Sequence, residues 1–384
     1  MKYSRREFLG LTSYALGTGL LPGCLHAAKD GNSYSVALLG DTHYDSPDPK
    51  FYHADYTHST SKGRYEAHLK EHLRNAEMWK ERMPALIHAS ASCATQDTAF
   101  ILQMGDLIQG DCGNPATHRR MLNDAFETMK GAYGGKLPLV TVAGNHDIRG
   151  DVPEDGALAA FDAWQPPLMT RELGVPVTKT TFAFRHGPDV FLVVDFNEPR
   201  PNLGLVKSLL KANADARYTF LISHGPAIPN CRSRWFLLGL PKRDAARREL
   251  RALLAARNAI VLAGHTHCLE SYDCVFPEGR ITQFVANSVW AVPEWESLNV
   301  REEGKEMFGS QASLKKVKEN SRTGTQNSLR QLADEYRPFI CDYFFANAAG
   351  HYRLEVSDRR VAVIFYGGSS RTPARTFLLR NNVR

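Results

Sequence analysis

Five polar clusters punctuate this chain: Asp41-Thr42-His43, Gly105-Asp106, Gly144-Asn145-His146-Asp147, His224-Gly225 and Gly264-His265-Thr266-His267. Their side chains are imidazoles, carboxylates and an amide, which bind metals through nitrogen and oxygen; the imidazoles also exchange protons near neutral pH. Read together, they look like one two-metal hydrolytic centre. Two cations a few ångströms apart lower the pKa of a shared water and supply hydroxide near neutral pH.

The segments ahead of the clusters explain how residues so far apart in the chain could meet. Each cluster follows a short apolar run, at 36–39, 100–102, 139–142, 220–222 and 260–262. Such runs read as buried strands that deliver polar residues from their carboxyl ends, where open α/β sheets place ligands. Around them the pattern predicts a long helix over 64–91 stalled near Pro84, strand 100–104, helix 116–130, strand 139–143 and an antiparallel pair, 180–185 with 190–196. Helix 203–213, strand 218–223, helix 242–257, strands 260–263 and 281–286, and a hairpin of 352–356 with 361–366 follow. The expected fold class is α/β, a four-layer α/β/β/α sandwich of two mixed sheets flanked by helices. One domain over 34–384 would carry two insertions, at 44–62 and 294–340. The first reads as a polar loop over the site mouth. Within the second, 310–336 is charge-rich and helical, and a solvated surface helix is the preferred reading over a lid or a dimer contact.

The order of the clusters resembles the calcineurin-like metallophosphoesterase family, whose pattern is Asp-x-His, Gly-Asp-x-x-Asp, Gly-Asn-His-Asp/Glu, a lone His and Gly-His-x-His. All five blocks stand here in that order, with one substitution, over roughly 35–267. The resemblance implies a metal-dependent phosphoesterase that hydrolyses a small-molecule phosphomonoester or diester by attack of a metal-bridging hydroxide. It places Asp41, His43 and His267 on one cation, Asn145, His224 and His265 on the other, and Asp106 on both. His146, beside Asp147, would protonate the leaving oxygen. Two divalent ions are implied, and nitrogen and oxygen donors suit Mn, Fe, Zn or Co better than Ca or Cu(I). The departure is Gln109, which stands where the pattern has its second carboxylate; that outer partner would orient the catalytic imidazole, so Asp111 or Asp147 would have to take over. The neutral amide keeps open a second reading, an exported non-catalytic protein that binds metal or a phosphate ligand on the same fold.

Ser4-Arg5-Arg6-Glu7-Phe8-Leu9 and the apolar stretch 8–21 resemble a twin-arginine export signal, and the stretch is too short to span a bilayer. Residues 1–28 are therefore expected to be a signal peptide read by the twin-arginine export machinery, giving a periplasmic or otherwise extracytoplasmic bacterial protein. Leu21-Pro22-Gly23-Cys24 also resembles a lipoprotein box, with Cys24 as the lipid anchor; cleavage near Ala27 or Ala28 is the alternative. Six further cysteines allow disulfides, Cys268 with Cys274 being the best local pair, although a chain of 384 residues can stabilise itself by burial. The formal charge is +6, of which the N-terminal segment holds two, and no basic run interleaved with aromatics points to nucleic acid. Arg149, Arg232 and Arg234 lie near site segments and could grip phosphate. Arg243, Arg247, Arg248 and Arg251 have the spacing of a solvated helix stripe. His53, His58, His68 and His72 read as loop or helix-surface residues rather than ligands.

Overall fold

The apolar runs ahead of the clusters are strands in the computed structural model, which describes residues 32–48, 50–56, 62–150, 156–197, 200–311 and 325–382. The expected signal segment with Cys24, His58 and 312–324 of the charge-rich stretch lie outside the described residues. In the first sheet, β1 (Tyr34–Leu39), β2 (Thr98–Gln103) and β3 (Leu139–Thr141) run parallel. The antiparallel strands β12 (Gly350–Val356), β13 (Arg360–Gly367) and β14 (Arg375–Asn381) extend it beyond β1. The second sheet has a parallel centre of β5 (Asp189–Val194), β6 (Thr219–Ser223), β7 (Ile260–Ala263) and β9 (Gly279–Val285). Antiparallel β4 (Phe182–His186) borders β5, and β8 (Leu269–Phe276), β11 (Ile340–Ala346) and β10 (Arg301–Glu303) continue outward from β9. Two mixed sheets result, as expected. The parallel central strands are buried over most of their length, and β1 and β5 show no alternation at all because both of their faces are covered.

The core lies between the sheets, where aromatic rings meet across the gap. Phe100 of β2 sits 5.2 Å from Phe191 of β5, and Phe284 of β9 packs 5.4 Å from Tyr352 and 5.3 Å from Phe377. Helices cover the outer faces. Helix α1 (Lys62–Lys80) leads into α2 (Arg82–Ser92), which lies on β12, and α3 (Pro115–Ala132) pairs with α4 (Ala157–Leu173), which lies on β3. On the other side α5 (Leu203–Ala212) and α6 (Asp244–Ala256) pack on β5 and β9. Asn114 caps α3 by accepting from the Thr117 amide at 2.8 Å, and Pro115 fills the first turn, where no donor is required.

Several expectations change. The helix expected over 64–91 breaks at Glu81, where φ is −142°, and Pro84 sits harmlessly in the first turn of α2. Helix α4, with two internal prolines, and strands β8, β10, β11 and β14 lack the signals that marked the others. The described part of the charge-rich stretch, α7 (Gln326–Tyr336), is not a solvated surface helix: Leu329, Leu332, Ala333 and Tyr336 are buried. Arg247, only 2% exposed, leaves the supposed solvated stripe to pair with Glu335 at 3.0 Å. Cys93, Cys112, Cys231, Cys268, Cys274 and Cys341 are all free. Five residues of nearly extended chain lie between Cys268 and Cys274, a span of about 20 Å, far beyond disulfide reach. No helix among the described residues is long and apolar enough to cross a membrane.

Candidate metal centre

Parallel strands from both sheets end at one edge, and the turns beyond them hold the clusters. Asp41 follows β1, Asp106 follows β2, Asn145 follows β3, His224 follows β6 and His265 follows β7. Backbone bonds tie these turns together: the amides of Thr42 and His43 donate to the Asp106 carbonyl at 3.1 and 2.9 Å, and that of Gly264 to the His224 carbonyl at 2.9 Å. Two motif glycines make room. A Cβ on Gly144 would stand 2.2 Å from Asp106 Oδ1, and one on Gly264 2.3 Å from Asp41 Oδ1. The turns are strained: φ is 42° at His43, 50° at Asp106, 72° at His265 and 51° at His267. Each such residue costs roughly 1–2 kcal/mol, a strain that collects where side chains must be aimed rather than where the chain is most stable.

The side chains converge into two groups that share Asp106: Asp41, His43, Asp106 and His267 in one, Asp106, His224 and His265 in the other. His267 Nε2 lies 3.1 Å from Asp41 Oδ2 and 3.0 Å from His43 Nε2. His224 Nε2 lies 3.1 Å from Asp106 Oδ2 and 3.0 Å from His265 Nδ1. Outer bonds choose which nitrogen faces inward, because His224 Nδ1 donates to the Met104 carbonyl at 2.8 Å and His43 Nδ1 to Gln109 Oε1 at 3.2 Å. Burial raises the Asp106 carboxyl, but His224 and His146 outweigh it and hold the group well below the usual range. Asp41 is lowered in the same way, burial being outweighed by His224 and His267. Burial pulls His224 down, yet Asp106 and Asp41 push it up to about 9, while burial sends His43 to about 4 and His265, also opposed by His224, to about 3.

These residues fit divalent cations. Close-set imidazole nitrogens face each other and carboxylates across a buried space, and Asn145 Oδ1, shut away from solvent, accepts no hydrogen bond. A buried acceptor in that state costs about 1–3 kcal/mol, which coordination would recover.

The expected catalytic pair divides. His146 lines the cavity over the centre. Its amide donates to Asp106 Oδ1 at 2.7 Å, its Nδ1 to the Gln109 carbonyl at 2.9 Å, and its Nε2 accepts from Arg149 Nη1 at 3.0 Å. Burial and then the Arg149 charge hold its pKa well below normal. Asp147 stays out of the cavity. It binds the amides of Ile108 (3.1 Å) and Gly144 (2.8 Å), pinning one turn to the next, and burial followed by the Asp106 charge pushes its carboxyl up to about 7. It is a positioning group, not a partner of the His146 ring.

Gln109 also differs from expectation. Its side chain serves the ring of His43, not that of His146: Oε1 takes the His43 proton and one from Asn75, and Nε2 donates to Glu71 Oε2 at 3.4 Å. The anion that the family pattern has at this position stands one residue farther out, on Glu71. Of the flagged arginines, Arg149 and Arg234 line the cavity, whereas Arg232 turns to Glu302 at 2.6 Å and stacks on Phe345. The cavity, about 410 Å³, is otherwise walled by Glu71, Phe196, Asn197, Trp235, Phe236, Gly239 and Leu240, and no residue of the described parts of 44–62 lines it. Sequence reading missed Glu71, Asn75, Phe196 and Asn197, and also Trp235, which is 41% exposed and lies 5.7 Å from the His265 ring.

Residues 34–269 match the family model described as calcineurin-like phosphoesterase. No curated protein matches the chain in sequence. Among solved structures it is similar to PhoD (10% identity, 90% of this chain and 68% of that one, TM-score 0.48). It is similar as well to the purple acid phosphatase PPD1 of yellow lupin (11%, 90% and 53%, 0.47) and to a dimetal phosphatase of Danio rerio (11%, 91% and 99%, 0.46).

Proposed function

The chain belongs to the calcineurin-like phosphoesterase family, and from that premise we propose that it hydrolyses a small-molecule phosphoester at a centre of two divalent cations. The observation that carries this reading is the pair of donor groups joined through the buried carboxylate of Asp106. Asp41, His43 and His267 would hold one ion, Asn145, His224 and His265 the other, and Asp106 both. When bound, the ions would neutralise phosphoryl charge and make hydroxide accessible near neutral pH. The rest falls to the chain. The strained turns aim the donors, Gln109 keeps Nε2 of His43 pointed inward, and Phe196 and Trp235 wall off water beside His265. Arg149 is the cation that meets incoming phosphoryl oxygens. For His146 to give a proton to the leaving oxygen, Arg149 must turn from Nε2 to the phosphoryl group. Losing the guanidinium and gaining that negative charge both raise the imidazole's proton affinity.

The arginine pair and apolar stretch of 4–21 support export by the twin-arginine route to an extracytoplasmic compartment, with Cys24 as a lipid anchor if the protein is processed there. The deciding experiment compares an aryl phosphomonoester, its bis-aryl diester and a nucleotide pyrophosphate with the purified chain loaded with Mn, Zn or Fe. Metal-dependent turnover of one of them is expected. Binding of phosphate without turnover of any would select the non-catalytic alternative.

A further inference from the structure

A second nest of metal-type donors is buried beside the centre. Asp45 lies two residues beyond His43, His53 comes from the loop that follows, and His72 from α1; one donor atom of each lies within 4.8 Å of the other two. All three are buried, at 1, 2 and 1% exposure. His53 Nδ1 donates to the Asp111 carbonyl at 2.9 Å, which turns Nε2 toward both Asp45 oxygens at 3.1 and 3.0 Å. This is how an imidazole is oriented when its other nitrogen serves a metal. The His72 ring lies 4.0 Å from that of His53, and neither of its nitrogens makes a hydrogen bond. A neutral imidazole carries one donor and one acceptor, and leaving either unmet inside a protein costs about 1–3 kcal/mol. Protonation does not relieve it, since burial and then the charge of His53 push His72 down to about 3.

A further carboxylate stands beside the nest. Asp111 Oδ2 stands 3.7 Å from His72 Nε2, and Asp111 Oδ1 is buried without a hydrogen-bond partner. Arg149 is already shared between Asp111 and Glu71, so Asp45 is left to His53. We propose that Asp45, His53 and His72 form a third cation site, separate from the two-ion centre, that takes Zn²⁺ or a similar borderline ion. Two imidazoles and a carboxylate are a common zinc donor set. The site is structural: its donors are buried and none lines the cavity over the centre. Its ion would pin the loop carrying His53 to α1 and so hold Glu71, the neighbour of His72, against Gln109 and Arg149.

The inference does not depend on phosphoester turnover, and its test reads metal directly. The full chain is loaded with Zn²⁺, freed of excess by gel filtration and assayed for zinc per chain, with anomalous scattering at the zinc edge to locate the ions. Wild type should hold three, and His72→Gln and His53→Gln two each with a normal circular-dichroism spectrum. Asp106→Asn should keep the scattering peak between His53 and His72 whatever happens at the two-ion centre. If His72→Gln misfolds, His53→Gln decides. Equal zinc content in wild type and the folded histidine variants, or no peak at this position in wild type, overturns the proposal.

Discussion

Replacing Gln109 with Glu restores the carboxylate of the family pattern, and the structure predicts that it harms this protein. The amide works in both directions, accepting from His43 and Asn75 and donating to Glu71 Oε2 at 3.4 Å. Gln109→Glu removes the donor and sets two carboxylates about 3.4 Å apart, where unit charges at an effective dielectric near 20 repel by about 5 kcal/mol. The Glu71 side chain is 32% exposed and bonded to Arg149 at 3.1 Å, so water and the guanidinium screen roughly half, leaving about 2–3 kcal/mol. Urea unfolding in EDTA at pH 7.5 should show that loss. Repulsion raises the folded-state pKa of the carboxyl pair above its unfolded value, so the folded protein binds more protons and the deficit fades as pH falls toward 5. The double variant Glu71→Gln/Gln109→Glu, with charge and amide exchanged, should recover most of the stability, whereas Gln109→Ala should weaken metal binding 10–100-fold. A single variant within about 0.5 kcal/mol of wild type, or a double variant no better than the single, would refute the link between Gln109 and Glu71.

Asp106→Asn removes the shared anion while keeping an acceptor for the His146 amide, and kcat/KM should fall at least about 10³-fold with loss of bound metal; retention of both ions and activity within tenfold of wild type would contradict a shared ligand. His146→Ala should leave metal content unchanged while kcat drops about 10²–10⁴-fold, measured beside atomic metal analysis. Stripping metal with EDTA should lower Tm, and restoring Mn or Zn should return it in proportion to ligand excess over Kd. His351, fully buried, is pushed down to about 4 by burial, so between pH 6.5 and 4 the unfolded chain takes up a proton that the folded chain refuses. Stability therefore rises with pH through that window, and His351→Gln should reduce the acid loss by about 3 kcal/mol in EDTA; an unchanged slope would count against it.

The strands that carry the site were legible because parallel strands covered on both faces leave an unbroken apolar run, as at 36–39 and 260–262. Helix α4 and strands β8 and β14 were not, since two prolines blur the first and mixed burial blurs the others. His53 and His72 looked like surface residues because a histidine in a polar segment carries the same local signal whether it ends in solvent or beneath a neighbouring loop. Arg247 misled in the same way: helix spacing set its angular position, but Glu335 and Tyr336 of a distant helix decided that the position was inside.

Side-chain chemistry and cluster order were enough to point to the family and to the donors, because ligand type is a property of the residue and strand ends are a local consequence of hydrophobic runs. Which atom faces which was settled only on folding. His43 meets His267 across 224 positions of chain and Gln109 across 66, and no local rule links such separations. Left-handed turns, outer hydrogen bonds and the packing of two sheets chose the inward nitrogen of each ring, moved an anion from position 109 to Glu71 and turned Asp147 from the cavity toward the backbone. Those are long-range balances of burial and charge, and they exist only when the whole domain is assembled.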